Sequence, residues 1–396
     1  MASSPAEYRA TPPARVRTMA YVRLAVGVVT AALAFALCPR DAWAALLVSV
    51  VYFAGLAQGM VMWSVVLYTA KATWSPAVSR LGQAAIGFLP ITLVAVIVLL
   101  LGRDHWLTWL HHPVPEKAAW LNVPFMVARS VGGLLLLTIA CAVFVRIHIR
   151  LSQRIADGDE PDMEQTLCRL TGFSVGLCLL YVVVSTLFSL DFVMSLSPHW
   201  YSTMFPLHFL VSNLYIGMAA IVLHAVILGD RLGAGRWLSA PQYCDMGNLL
   251  LGFGLFCAGL QFAQALTIWY ESLPEEAPFM VLHLYEWPWR PLSFLVLCGG
   301  YLGPFAALLF PRVKRSPVAL AGVSALILIC LFVERMVMVA PSLDPAGPPN
   351  LLVLLGMAVG FTGVLVLVTL RFLDRVPSVG EFDVRLRDLV REVTTG

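Results

Sequence analysis

Ten apolar runs, each of about 20 residues, follow one another through most of this chain. They lie at about 18–38, 43–68, 81–102, 123–147, 168–194, 203–228, 246–270, 291–311, 317–340 and 349–372. About 20 residues of helix are needed to cross the hydrocarbon core of a bilayer. Because backbone groups in lipid must be hydrogen-bonded within their own segment, the runs predict helices. With 12% charged residues against about 25% in soluble domains, nearly the whole chain belongs in the membrane.

The sequence therefore predicts an all-α, polytopic membrane protein with three parts. These are an N-terminal segment at 1–17, a ten-helix transmembrane domain at 18–372 and a C-terminal tail at 373–396. Lys and Arg set the orientation, because they concentrate on the cytoplasmic side of membrane proteins. Of 26, 20 lie on the side of the chain ends, four on the opposite side, and Arg129 and Arg335 within spans. Both termini are thus expected to be cytoplasmic. The first run is expected to stay in the protein, because further spans follow it at once.

Composition also argues against several classes of function. The basic residues form no stripe or block, so nucleic-acid binding has no support. The eight cysteines include no CxxC pair, and we expect neither covalent haem nor iron–sulfur clusters in this chain. A b-type haem is not expected, because His208 lacks a histidine at matching depth, and no metal-ligand spacing occurs.

Polar residues concentrate in the outer half of the predicted bundle, where ionisable groups are costly and usually functional. We predict a cavity or half-channel open to the outer aqueous phase. Its candidate residues are Asp191, His199, His208, Gln264, Glu271, Glu275, Glu276, Glu334 and Arg335. Each of these residues also has a purely structural interpretation. The loop carboxylates could be solvent-exposed residues without a function, His208 a hydrogen-bonded core histidine, and Glu334–Arg335 a structural ion pair. The inner half is expected to be poorer, with His224 as its main titratable group.

Eight of the eleven tryptophans also fall at or near the outer face. Interfacial tryptophan is common in membrane proteins, so a lipid-interface belt is one interpretation. A packed outer surface that docks a partner is the other.

Five segments resemble a known family of membrane subunits. They are WSPAVSRLGQAAIGFLP at 74–90, LNVPFMVAR at 121–129, SLDFVMSLSPHWYSTMF at 189–205, WYESLPEEA at 269–277 and WPWRPLSFLVLCGGYLGPFAALLFPRVKRSP at 287–317. In this order they resemble NrfD-like, polysulfide-reductase-type subunits, and specifically the second such subunit of alternative complex III, a quinol:cytochrome c oxidoreductase. One departure is Leu67-Tyr68, where relatives often carry a histidine pair.

The resemblance implies two four-helix bundles, spans two to five and six to nine, with two peripheral helices. It implies a bacterial inner membrane location and three partners: a second NrfD-like subunit, a periplasmic multihaem cytochrome c and an iron–sulfur subunit. Haem and iron–sulfur clusters would belong to those partners, and a menaquinone or ubiquinone is the small molecule implied. The resemblance assigns functional roles most directly to four residues that lie inside the matching motifs: Asp191, His199, Glu275 and Glu276.

The leading hypothesis is a subunit of a quinol-oxidising respiratory complex that has no redox centre of its own. Quinone pockets combine an apolar channel with one or two polar groups, and His208 with Glu271 or Asp191 fits that description. The second hypothesis is a structural subunit that stabilises the complex and docks its partners. A secondary transporter is the third, although no inverted repeat is visible.

Overall fold

Ten long helices make up the computed structural model, which describes residues 14–72, 74, 76–159, 163–229, 237–271, 274, 277–377, 379–380, 382–384 and 386. All ten are long and apolar enough to cross a membrane, and the described residues contain no strand. The helices are α1 (Ala14–Leu37), α2 (Pro39–Thr69), α3 (Pro76–Leu101), α4 (Val123–Ala156), α5 (Met163–Phe192), α6 (Met204–Leu228), α7 (Ala240–Glu271), α8 (Trp289–Leu308), α9 (Pro317–Leu343) and α10 (Leu351–Leu373). The predicted fold class and all ten spans are confirmed.

Local sequence explains where several helices begin. The side chains of Asn122, Ser316 and Asn350 accept hydrogen bonds from the first-turn amides of α4, α9 and α10. Proline opens α2, where its missing N–H leaves no bond unmade. Each start is therefore fixed by residues that satisfy the helix terminus in an otherwise apolar setting.

The helices form two rings of four. In the first ring α2 packs on α3, α3 on α4, α4 on α5 and α5 on α2; in the second, α6 to α9 pack in the same cyclic way. The rings join where α2 meets α6 and α9, and where α5 meets α6. This is the predicted arrangement of two four-helix bundles.

Small residues bring the two rings together at α2 and α6. A Cβ placed on Gly59 of α2 would strike the backbone of Asn213, and one placed on Gly217 of α6 would lie 2.7 Å from the backbone nitrogen of Met60. Trp63 Nε1 donates to Leu214 O at 2.7 Å across the same contact. Since glycine lets helix backbones approach closely, α2 becomes the most buried helix of the protein.

The peripheral helices α1 and α10 pack on each other, and α10 also covers α2 and α3. Arg17 at the start of α1 pairs with Asp374 just after α10, Nη2 to Oδ2 2.7 Å. Both ends of the helical domain therefore lie on one face, called the inner face below. The connections after α1, α3, α5, α7 and α9 lie on the opposite, outer face.

Tryptophans of the outer face divide into two groups. Trp106, Trp109, Trp200 and Trp289 are packed inside the outer end of the bundle. Trp269 and Trp287 are 72% and 76% exposed. The outer tryptophans thus serve both as interior packing and as an exposed rim, so neither predicted interpretation accounts for all of them.

Candidate functional site

The second ring encloses a cavity of about 340 Å³ in its outer half. Helices α6, α7, α8 and α9 contribute to its wall, together with the short helix Ala277–Leu284 that follows α7. Most of the lining is apolar and aromatic, and exposed Phe262 and Phe294 stand at its edge. The cavity therefore communicates with the lipid-facing surface between α7 and α8.

Glu334 of α9 is the centre of the polar wall of this cavity, and it is 2% exposed. Its Oε1 accepts hydrogen bonds from the Tyr301 hydroxyl and from Gln261 Nε2, the latter at 3.1 Å. His208 Nε2 lies 3.6 Å from the same oxygen and 3.3 Å from the Tyr301 hydroxyl. Because the Tyr301 proton points at Glu334, the His208 nitrogen is the donor to the Tyr301 oxygen. One carboxyl thus joins groups from all four helices of the ring.

The backbone of α8 positions Tyr301. Residues Val296–Leu302 form a π-helical segment, and such segments recur at functional sites because they shift side chains relative to a regular helix. Tyr215 Oη donates to Gly300 O at 3.1 Å and ties this segment to α6. The sequence signal for this position is the small-residue run at 298–300, which allows close packing against α9.

Arg335 lies behind Glu334, away from the cavity and fully buried. Its Nη2 donates to Ser212 Oγ at 2.5 Å and to Asn213 Oδ1 at 3.1 Å, and its Nη1 is 3.6 Å from Glu334 Oε2. The guanidinium also covers the ring of Phe209, 4.3 Å from its centroid. These contacts hold a cation beside the carboxyl. Glu334 is therefore both the partner of Arg335 in a buried ion pair and a part of the cavity wall.

His283 of the short helix Ala277–Leu284 closes the outer end of the cavity. Its Nδ1 lies 2.6 Å from Phe279 O, and its Nε2 lies 2.9 Å from Val337 O. Burial lowers the pKa of His283, and the two carbonyls only partly oppose this effect. Trp200 stacks on Phe279 with ring centroids 3.9 Å apart. Stacked aromatic rings therefore cover the cavity on the outer side.

No protein-family model matches the chain. No curated protein matches it at a significant level. The resemblance to NrfD-like subunits therefore stays a prediction that rests on the five quoted segments. Among the residues that the structure describes, no group of three or more His, Cys, Asp and Glu side chains is placed to hold a metal ion.

Asp191 lies outside this cavity, in the first ring. Arg129 of α4 donates two hydrogen bonds to its carboxylate, from Nε at 2.9 Å and from Nη2 at 2.5 Å. Ser130 Oγ donates a third at 2.8 Å. The Arg129 guanidinium is stacked on Trp120, 4.0 Å from the ring centroid. A buried carboxylate with every partner in place is well suited to hold two helices together, and it does not share a pocket with His208.

The remaining predicted residues are distributed differently. Gln264 lines the cavity near Gln261. Glu271 stands exposed at the end of α7, and His199 is exposed in the turn before α6. Glu275 and Glu276 lie outside the described residues. The structure thus brings together His208, Gln264, Glu334 and Arg335, while Glu271 and His199 are not part of the cavity lining.

A second buried polar cluster lies near the inner face, and the sequence did not predict it. Arg80 of α3 is 1% exposed, and its Nη1 donates a hydrogen bond to Gln83 Oε1 at 2.8 Å. Its Nη2 lies 3.8 Å from Asp383 Oδ2 of the C-terminal tail. His148 of α4 lies 3.8 Å from Asp383 Oδ1 and is fully buried. The expectation of a poor inner half with His224 as its main titratable group is therefore wrong.

Phe382 of the tail also packs into this cluster. Its ring is fully buried against His148 and Tyr68, with centroids 5.3 and 6.3 Å away. Burial raises the pKa of the Asp383 carboxyl from 3.8 to about 6, and the nearby Arg80 charge partly offsets the rise. The tail residue Phe382 therefore occupies the space beside Tyr68 at the inner end of α2.

Proposed function

We propose that this protein is the membrane subunit of a quinol-oxidising complex of the alternative complex III type. The observation that carries the proposal is Glu334: a buried carboxyl, bonded to Tyr301 and Gln261, at the wall of an apolar cavity that opens toward lipid. An isoprenoid quinol would enter between α7 and α8, with its tail along Phe262 and Phe294. Its head would reach the polar wall, as in pockets that combine an apolar channel with few polar groups.

The chemistry asked of this wall is proton acceptance. Oxidation of a quinol releases two protons and two electrons, and each hydroxyl proton needs an acceptor within hydrogen-bond reach. Glu334 is the group in the cavity placed for this role, and His208 lies 3.6 Å from it and is linked to it through Tyr301. The electrons would pass to iron–sulfur and haem centres of the partner subunits, which dock on the outer face in this proposal.

Further buried polar groups support a proton path that continues from Arg335 toward the inner face. The polar residues Ser174, Tyr181, Ser185 and Ser189 are buried on α5, at a spacing that places them on one helix face. Tyr181 interacts with Asn213 and Ser185, and the ring nitrogens of His148 find no hydrogen-bond partner among the described residues. Buried polar atoms of this kind are where ordered waters bind. Waters there would connect Glu334 with Asp383 in the inner cluster.

The test is a pair of matched carboxyl-to-amide changes. Glu334→Gln removes the proton acceptor, whereas Glu271→Gln makes the same change at an exposed carboxyl on α7. Complexes with each variant are purified from membranes, checked for assembly by their haem spectrum, and assayed for oxidation of decyl-ubiquinol and a short-chain menaquinol. Loss of a general base costs about 100-fold or more, so we expect that loss for Glu334→Gln and a rate within about twofold of wild type for Glu271→Gln.

A structural subunit without a quinol site is the second candidate. It is favoured by the exposed aromatic rim at the outer face, where Trp269, Tyr270, Tyr285 and Trp287 are each more than two-thirds exposed. Large exposed aromatic patches mark sites of association. An assembled Glu334→Gln complex that oxidises both quinols at the wild-type rate, with normal proton release, would reject the quinol site and leave this role.

A further inference from the structure

A larger cleft of about 620 Å³ lies on the other side of the molecule, between the peripheral helices and the two rings. Helices α1, α2, α6, α9 and α10 line it, mainly with apolar side chains such as Phe53 and Phe332. At its edge Ile227, Ile329 and Val359 are 57%, 63% and 38% exposed. The cleft is therefore open sideways, toward the acyl chains of the membrane.

Arg23 of α1 is the charged residue in this lining. A Cβ on Gly363 of α10 would lie 3.0 Å from Arg23 Cβ, so the two residues are at the same depth. Gly363 lies ten residues before the end of α10 at Leu373, which is about 15 Å along the helix axis. The backbone of Arg23 thus lies inside the helical bundle, and its side chain is long enough to extend toward the lipid headgroups at the inner surface.

No hydrogen bond, ion pair or ring contact links Arg23 to another residue in the described part of the chain. Asp374, the acid just after α10, is paired with Arg17 at 2.7 Å. A cation at this depth is costly and normally has an anionic partner or a carbonyl acceptor. Because the cleft opens to lipid, a partner can come from the membrane itself.

His224 of α6 supplies a second polar contact in the cleft. Its Nδ1 donates to Ala220 O at 2.7 Å, which fixes the neutral tautomer with Nε2 as an acceptor. A hydroxyl-bearing headgroup could donate to that nitrogen while its phosphate binds Arg23. The guanidinium is well matched to a phosphodiester, because its N–H groups bind two phosphate oxygens together.

We propose that this cleft binds one anionic phospholipid of the phosphatidylglycerol type from the leaflet on the inner side. The phosphate binds Arg23, the headgroup hydroxyl donates to His224, and the acyl chains lie along Phe53 and Phe332. Basic pockets between membrane helices on this side are known to hold anionic headgroups. An uncharged occupant such as a quinone tail would fill the apolar space and leave Arg23 without a partner. The charge of Arg23 therefore favours an anionic phospholipid.

The test compares lipid retention by the purified full-length chain and three variants. Arg23→Gln removes the charge, and Arg15→Gln is the matched control at another exposed arginine of α1. Ile329→Trp fills the cleft from α9 without changing any charge. Each protein is delipidated in detergent, titrated with phosphatidylglycerol or phosphatidylcholine of identical acyl chains, and analysed by native mass spectrometry; thermal unfolding verifies that each variant is folded.

For wild type and Arg15→Gln we expect one tightly held phosphatidylglycerol, preferred over phosphatidylcholine by roughly fivefold, as one arginine near the membrane surface provides. Arg23→Gln should lose the preference, and Ile329→Trp should lose retention of both lipids. The proposal is overturned if Arg23→Gln keeps the wild-type preference, if Arg15→Gln loses it equally, or if Ile329→Trp retains phosphatidylglycerol. If Arg23→Gln fails to fold, the Ile329→Trp result decides.

Discussion

Docking of the C-terminal tail should weaken as pH rises, because Asp383 is buried in the inner cluster. Arg80 of α3, His148 of α4 and Tyr68 of α2 face this carboxyl, and Lys71 lines the small cavity beside it. Its pKa is raised from 3.8 to about 6 by burial. The docked tail therefore binds the proton more tightly than the released tail, and protonation favours docking.

The size of the effect follows from the two pKa values. The released carboxyl titrates near 3.8 and the docked one near 6, a difference that corresponds to about 3 kcal/mol at about 1.4 kcal/mol per pH unit. Docking is strongest when the pH is below the pKa of the released carboxyl. The stabilisation that protonation of Asp383 provides is lost progressively as the pH rises through the pKa of the docked carboxyl. Between pH 5 and pH 7.5 about half of it is lost, which is about tenfold in the docking equilibrium.

Limited trypsin digestion can measure this change, because the tail sequence contains Arg385, Arg387 and Arg391. Cleavage of the full protein is measured at pH 5 and pH 7.5 and divided at each pH by cleavage of a peptide with the tail sequence. We expect the ratio of normalised cleavage at pH 7.5 to that at pH 5 to be about tenfold higher for wild type than for Asp383→Asn. Asp383→Asn cannot ionise at this position, and the comparison cancels the contribution of His148, which the tail also covers.

Asp374→Asn is the matched control, because Asp374 is a half-exposed carboxyl that lies outside the cluster. It should retain the wild-type ratio. The reasoning about Asp383 would be refuted if the wild type and Asp383→Asn gave the same ratio of cleavage at the two pH values.

Two further predictions concern stability. Asp191→Leu should destabilise the protein by about 3–5 kcal/mol because it leaves the buried Arg129 charge unpaired, whereas the double variant with Arg129→Met should recover most of that loss in thermal unfolding. Gly360→Leu should lower the free energy of unfolding by about 1–3 kcal/mol, because an added Cβ at Gly360 would lie 2.6 Å from Gly27 Cα. Gly132→Leu is the control and should unfold at the wild-type temperature, because an added Cβ there has no atom within 4 Å. A Gly360→Leu protein as stable as Gly132→Leu would contradict the close packing of α1 on α10.

The sequence was sufficient to predict the spans, because hydrophobic length and the distribution of Lys and Arg act locally along the chain. It also identified Glu334, Arg335 and His208 as costly polar groups, since each interrupts an apolar run. Pairing was the harder step: Asp191 was grouped with His208, yet its partner is Arg129 in the other ring. The spacing of residues along a helix does not reveal which neighbouring helix its polar face will meet.

Tyr301 and Asp383 show two further limits of the sequence. A tyrosine in an apolar span looks like ordinary core, and the π-helical segment that directs it to Glu334 depends on packing against α9. Asp383 belongs to a tail with many charges, so nothing in its local pattern distinguishes it from a solvated residue. Its burial results from folding back of the tail onto α3 and α4, a contact between segments more than 200 residues apart.

The central position of α2 has a consequence for how this protein is made. The glycine face that receives α6 is synthesised more than 150 residues before Asn213 and Gly217 arrive. During insertion α2 must therefore remain in the bilayer as a lipid-exposed helix, and its hydrophobicity on all sides suits that temporary state. A chain interrupted before α6 would leave this face uncovered, making such fragments natural substrates for membrane quality control.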